Sequence, residues 1–160
     1  MRRKDREITN ITEIESIISI ADVCRVAMDD SGIPYIVTMN FGYSGGAQRC
    51  FYFHCALEGR KLEMIRKNSF VCFELDIDHR KIEGEEACDF SMDYRSVVGW
   101  GNMVIISENE EKRRGLDTIL HHYTGRTDFT YHPGTYNRIL VLRLEISEMT
   151  GKKHISNAGI

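Results

Sequence analysis

The stretch FYFHCALEGRK, residues 51–61, changes character at its midpoint. Up to Leu57 it alternates like a strand, and from Gly59 it opens like a helix. On a strand of period two, Phe51, Phe53, Cys55 and Leu57 share one face, and Tyr52, His54 and Ala56 share the other. The first set predicts a core face. The second faces something that tolerates a ring nitrogen. Gly59 allows a tight turn, and Arg60 and Lys61 then fall in the first helical turn. Free amides at a helix N-terminus together with two cations suit a dianion. Cations at that end oppose the helix dipole, a cost that a bound anion offsets. The other reading is a solvated basic turn with a surface histidine.

Outward from this turn, the same period recurs. Residues 23–29 (VCRVAMD) have β-branched character and run into the turn signal DDSG. Residues 33–42 put Ile33, Tyr35, Val37, Met39 and Phe41 on one face and Ile36, Thr38 and Asn40 on the other. Further strands are expected over 50–57, 70–77, 94–106 and 137–149. Helices are expected near 13–20, behind a capping box of Thr12 and Glu15, and over 59–68. A third follows a capping box of Ser107 and Glu110, buries Leu116, Ile119, Leu120 and Tyr123, and ends at Gly125. Residues 78–92 are polar and carry no clear pattern. Six strands following one another without full crossover helices predict a mainly β fold with short helices, as an antiparallel sheet or barrel.

The 160 residues suit one domain with its own core, and neither a linker nor an internal repeat interrupts them. A net charge of -3 gives no support to nucleic-acid or membrane-surface binding. No apolar run is long enough to span a bilayer. The basic N-terminus MRRKDREITN lacks the apolar stretch of a signal peptide. Five cysteines, at 24, 50, 55, 72 and 88, form no CxxC pair, which suits reduced thiols in a cytoplasm. Cys50 and His54 share a strand face, but two strand steps put them ~13 Å apart, too far for one metal ion. His121, His122 and His132 have no spacing that demands a cluster. The charge run ENEEKRR (108–114) reads as a solvated helix face.

A second stretch, DYRSVVGWG (93–101), sets Arg95 beside Ser96, with Val97, Gly99 and Gly101 following. A guanidinium and a hydroxyl both suit phosphate oxygens. Strand glycines mark a bulge or a close backbone approach to a ligand. A barrel bend with an exposed arginine is the alternative. Trp100 either stacks on a ring or fills the barrel, with filling the favoured reading. Neither stretch is a P-loop or a GxGxxG turn.

In order and spacing, these pieces resemble the FMN-binding split barrel of the pyridoxamine-phosphate-oxidase-like superfamily, and within it the nitroimidazole-resistance (nitroimidazole reductase) group. The matching pieces are IPYIVTMNFGY, YFHCALEGRK, KNSFVCFELD, YRSVVGWGNM, the helix ending LHHYTG and the closing RLEISEMTGKK, from about residue 3 to 153. The resemblance implies a six-stranded antiparallel split barrel, one FMN-binding domain over 1–160. It implies a homodimer with the flavin in a cleft between subunits. The phosphate would be held by Arg60, Lys61, Arg95 and Ser96, with Val97 adjoining. Main-chain atoms near Thr38, Met39 and Asn40 would meet the edge of the isoalloxazine ring, and His54 would lie near the flavin. The tail HISNAGI lacks the arginine–histidine pattern that closes the substrate site of true pyridoxamine phosphate oxidases, which argues against vitamin B6 chemistry. The expected activity is an FMN-dependent oxidoreductase acting on a small electrophile such as a nitro-aromatic compound, with His54 either donating a proton to the substrate or only shaping the pocket. The alternative is a flavin- or heme-binding stress-response protein with little turnover.

Overall fold

In the computed structural model, which describes residues 3–156, every period-two stretch becomes a strand of one antiparallel sheet. The strands are β1 (Glu7–Ile8), β2 (Cys24–Asp30), β3 (Ile33–Met39), β4 (Gly42–Ser44), β5 (Cys50–Ala56), β6 (Phe70–Ile82), β7 (Ser91–Ile106) and β8 (Ile139–His154). Helices α1 (Ile11–Ile20), α2 (Arg60–Lys67), α3 (Asn109–Thr124) and the single turn α4 (Pro133–Tyr136) lie between them. Neighbouring strands run in the order β3-β2-β6-β7-β8-β5-β4, and β1 adds to β8.

The fold is therefore mainly β and antiparallel, as the alternation predicts, but the sheet has eight strands and does not close. The six expected strands are all present. The additional two, β1 and β4, span two and three residues, too short for alternation to register. β4 begins only at the last residue of the expected strand 33–42, which breaks after Met39.

The core forms where the inner faces of the curved sheet meet α1 and α2. Phe51, fully buried, sets its ring edge-on to Phe41 at 5.4 Å and to Phe73 at 5.0 Å. Ile14, Ile17 and Ile18 of α1 and Leu62, Met64 and Ile65 of α2 close the same cluster. A second cluster lies under α3, where Cys50 and Tyr52 meet Leu116, Ile119, Ile106 and Val141. The start of β5 is thus buried on both faces. The predicted core face 51, 53, 55 holds, but Leu57 lies beyond the strand end and is exposed.

Both expected capping boxes shift by one or two residues. The Asn10 side chain accepts from the amides of Thr12 and Glu13, and the Glu108 side chain from those of Glu110 and Glu111. Each satisfies two of the unpaired amides of a first helical turn. Gly125 ends α3 in the left-handed region, as read. The run 108–114 is less solvated than its composition suggests. Glu111 joins Arg114 and Arg143, and Lys112 donates to the Tyr136 carbonyl oxygen at 2.7 Å.

The glycines of β7 belong to strand packing. A Cβ on Gly99 would stand 2.4 Å from the Phe73 ring, and one on Gly101 would stand 2.0 Å from the Glu145 carbonyl oxygen. The pairing of β7 with β8 slips between Trp100 and Gly101, the signature of a β-bulge. Trp100 between them faces away from Phe73, half-buried on the outer face of the sheet, so it does not fill the barrel. Because the obstacle at Gly101 is main chain, Gly101→Ala is expected to cost on the order of 2 kcal/mol. A clear drop in melting temperature checks this, and an unchanged one would show that the ladder yields freely.

Candidate functional site

The turn 57–61 folds as read from its residues. Gly59 sits at φ +138°, a conformation that side chains rarely adopt, and the space where its Cβ would stand is open. Its carbonyl oxygen accepts from the amides of Leu62 and Glu63. The amides of Arg60 and Lys61 remain at the N-terminus of α2 without side-chain caps. The two cations differ. Arg60 donates from Nε and Nη2 to Asp30 Oδ2, at 3.2 and 2.8 Å, and its guanidinium lies 4.5 Å above the Tyr35 ring. Lys61, half-buried, makes no ion pair among the described residues and lies near the Cys55 thiol. Burial pushes that thiol up from its ordinary pKa, with Lys61 opposing. Cys55 is a core residue, and no reactive thiolate is indicated there.

His54 is exposed on the face of β5 opposite Phe51 and Phe53, as alternation predicts. Thr38 and Asn40 are exposed and Met39 points into the core. Among the described residues β3 has a strand on one side only, so part of its main chain is free to bond a ligand.

The outer face of the sheet is built from cross-strand rows. Ile36, Ala27, Cys72, Trp100 and Glu148 form one, across five strands. Thr38, Arg25, Glu74, Val98 and Thr150 form the next. Asp76, Ser96 and Lys152 extend the face. Arg25 bridges Glu74 at 3.0 Å and Asp76 at 2.5 Å, and His79 also meets Asp76 at 2.8 Å. Burial first, and Asp76 second, raises the Glu74 carboxyl above its usual range. Thr38 and Ser96 share this face. Three strand spacings separate them, on the order of 15 Å.

Arg95 and Ser96 do not point together. Successive side chains of a strand face opposite ways, so Ser96 lies on the outer face while Arg95 pairs with Asp78. Val97 is fully buried, and its side chain belongs to the core. Nor does one chain bring His54 to Ser96. His54 pairs with Val141, which pairs with Ile106, ten positions from Ser96 along β7. The histidines 121, 122 and 132 also stay apart. His122 bonds the Ala21 carbonyl oxygen at 2.8 Å, and His132 caps α4.

Sequence reading missed Asp30 and Tyr35, the partners of Arg60. The DDSG turn was the available signal, because it fixes the hairpin register that pairs Asp30 with Ile33. It also missed a groove of about 730 Å³ lined by Arg49, Cys50, Tyr52, Arg114, Arg143 and Glu145. Each arginine of that groove meets a carboxylate, from Glu15, Glu111 or Glu145. Among the described residues no helix is long and apolar enough to cross a membrane. No group of three or more His, Cys, Asp or Glu side chains is placed to hold a metal ion among them either.

Over residues 10–153 the chain matches the pyridoxamine 5'-phosphate oxidase family, and it belongs to that family. A Bacteroides thetaiotaomicron protein provisionally assigned to 5-nitroimidazole antibiotic resistance is 36% identical, with a TM-score of 0.80. The match covers 92% of this chain and 86% of that one. The flavocytochrome Anf3 from Azotobacter vinelandii shares the fold at 17% identity and a TM-score of 0.81, covering 98% of this chain and 72% of its own. The FAD and heme binding protein from Mycobacterium smegmatis does so at 17% and 0.81, covering 94% and 74%. Among curated proteins no match is found.

Residues 157–160 of the tail HISNAGI lie outside the described residues. The chain leading to them is held by Asp93, the buried carboxylate at the start of β7. Asp93 accepts from Arg80 at 2.5 Å and from the Ser156 amide at 2.6 Å. These bonds, Arg80 foremost, hold its pKa below the ordinary value of 3.8. A depressed carboxyl contributes stability above the unfolded pKa and loses it as pH falls through the folded one. Wild type is therefore expected to exceed Asp93→Asn in urea stability at neutral pH, with the gap closing below about pH 4. A gap that stays constant to low pH would exclude the linkage.

Proposed function

We propose that this protein is an FMN-dependent oxidoreductase that reduces a small electrophile, such as a nitro-aromatic compound, with the cofactor held between two copies of the chain. The observation that carries the reading is the turn at Gly59, where two uncapped amides and the cations Arg60 and Lys61 surround open space. These groups fit a phosphate dianion. The 36% identity to a protein provisionally assigned to nitroimidazole resistance supports the substrate class. The flavoproteins that share the fold support the cofactor class.

Lys61, Arg60 and their amides hold the phosphate. Main-chain atoms at Thr38 and Met39, at the end of β3, and at Asn40 just beyond it bond the edge of the ring system. Two copies pack through the outer face, which covers Ile36 (62% exposed) and Phe70 (51% exposed). The second copy supplies the Arg95–Val97 segment, chiefly the Ser96 hydroxyl on that face, with Val97 restricted to main-chain contact. His54, exposed and opposite the core, donates a proton to the substrate. When bound, the flavin supplies the hydride chemistry.

Purified protein should be yellow and dimeric by light scattering. Lys61→Ala should weaken FMN binding roughly ten- to a hundredfold, the effect of losing one charge-assisted partner. Lys81→Ala, which removes a cation held by Glu83 in a surface pair, should leave binding unchanged. Equal FMN occupancy in both variants would refute the phosphate assignment. His54→Phe should keep its flavin but lose reductase turnover, and full turnover in that variant would remove the proton-donor role alone. Bound flavin that neither a nicotinamide donor nor a nitro-aromatic bleaches or reoxidises would mark a carrier.

A further inference from the structure

Arg60 is the cation of the phosphate turn whose geometry is already set. Its guanidinium carries two independent constraints, both from the β2–β3 hairpin. Asp30, at the end of β2, takes Nε and Nη2 on a single carboxylate oxygen, at 3.2 and 2.8 Å. Tyr35, near the start of β3, lies under the guanidinium plane at 4.5 Å. Nη1 has no partner among the described residues. Arg60 remains 54% exposed, so the group is held from one edge and one face while its remaining edge meets solvent.

A free arginine samples many rotamers, and fixing it on a ligand is costly in entropy. Here the chain has fixed it beforehand. We infer that Asp30 and Tyr35 are positioning residues for the flavin phosphate: they hold Arg60 with Nη1 turned outward for a phosphate oxygen. This rests on the function proposed above and names residues that touch neither phosphate nor ring. The opposite effect of Asp30 is also real. Its negative charge lies close to a bound dianion and repels it. Asp30 is one charge in a partly exposed pair, where water and salt screen repulsion, whereas rotamer restriction is not screened. Positioning is therefore expected to win.

The experiment measures the dissociation constants of FMN and riboflavin for the same protein by fluorescence quenching. The riboflavin constant divided by the FMN constant isolates the phosphate, because the two ligands share the ring and the ribityl chain. A change that merely loosens the fold weakens both and leaves the ratio alone. Wild type should prefer FMN, and Arg60→Ala should lose much of that preference. Asp30→Asn and Tyr35→Leu should each lower the ratio roughly two- to tenfold, the cost of immobilising one long side chain. Asp30→Glu and Tyr35→Phe should restore most of it, because they keep the charge and the ring face. Asp128→Asn, which breaks the surface pair of Arg126, should leave the ratio at the wild-type value. If Tyr35→Leu does not fold, Asp30→Asn and Asp30→Glu decide alone. A wild-type ratio in Asp30→Asn, or a higher one, overturns the positioning role while the phosphate site stands. A wild type that binds FMN and riboflavin equally overturns the phosphate site, and this inference with it.

Discussion

Strand β8 is the constraint on which the rest of the structure depends. Its 16 residues bond β5 at one end, β1 at the other, and β7 along nearly the whole length. A regular strand keeps one set of alternate side chains on one face along its whole length, and the slip opposite Trp100 and Gly101 exchanges the two sets. The extra residue on β8 re-aims the strand, so that Leu142 and Leu144 pack into the core while Lys152 and Thr150 reach the outer face. Gly99 and Gly101 permit this because main chain and the Phe73 ring occupy the places where their side chains would be.

The candidate site follows from that geometry. Burying β5 on both faces leaves only its last residues available for chemistry. His54 emerges where α3 no longer covers the strand, and Gly59 turns the chain into α2 just beyond. The β2–β3 hairpin then reaches the same turn through Asp30 and Tyr35. Ser96 lies ten positions along β7 from Ile106, the residue on the His54 row, so within one chain the two belong to different ends of the sheet.

Much of this was legible in the sequence, for physical reasons. Alternation over six or more residues located the six longer strands, and it placed His54 opposite Phe51 and Phe53. Glycine followed by two cations located the turn into α2, with its positive-φ Gly59 and uncapped first amides. What escaped was whatever depends on partners distant in sequence. Neither β1 nor β4 has enough residues to show a period. Trp100 looked like filling because its glycine neighbours gave no sign of which face they shared with Phe73. Arg95 and Ser96 looked like one site because adjacency in sequence is easily taken for adjacency in space, which a strand denies. The caps moved because α1 and α3 begin elsewhere than expected, so that Asn10 rather than Thr12, and Glu108 rather than Ser107, stands ahead of the first free amides.

The free side of β3 has a consequence for how the molecule behaves in a crowded solution. Main chain that can bond a planar ring can also bond another strand, and this edge carries Ile33 and Ile36 in the open. Pro34 removes one amide from that edge, which limits but does not abolish strand addition. An edge left open in this way is a nucleus for self-association. Anything that covers it would act as a folding chaperone does, by occupying the strand before a wrong partner can.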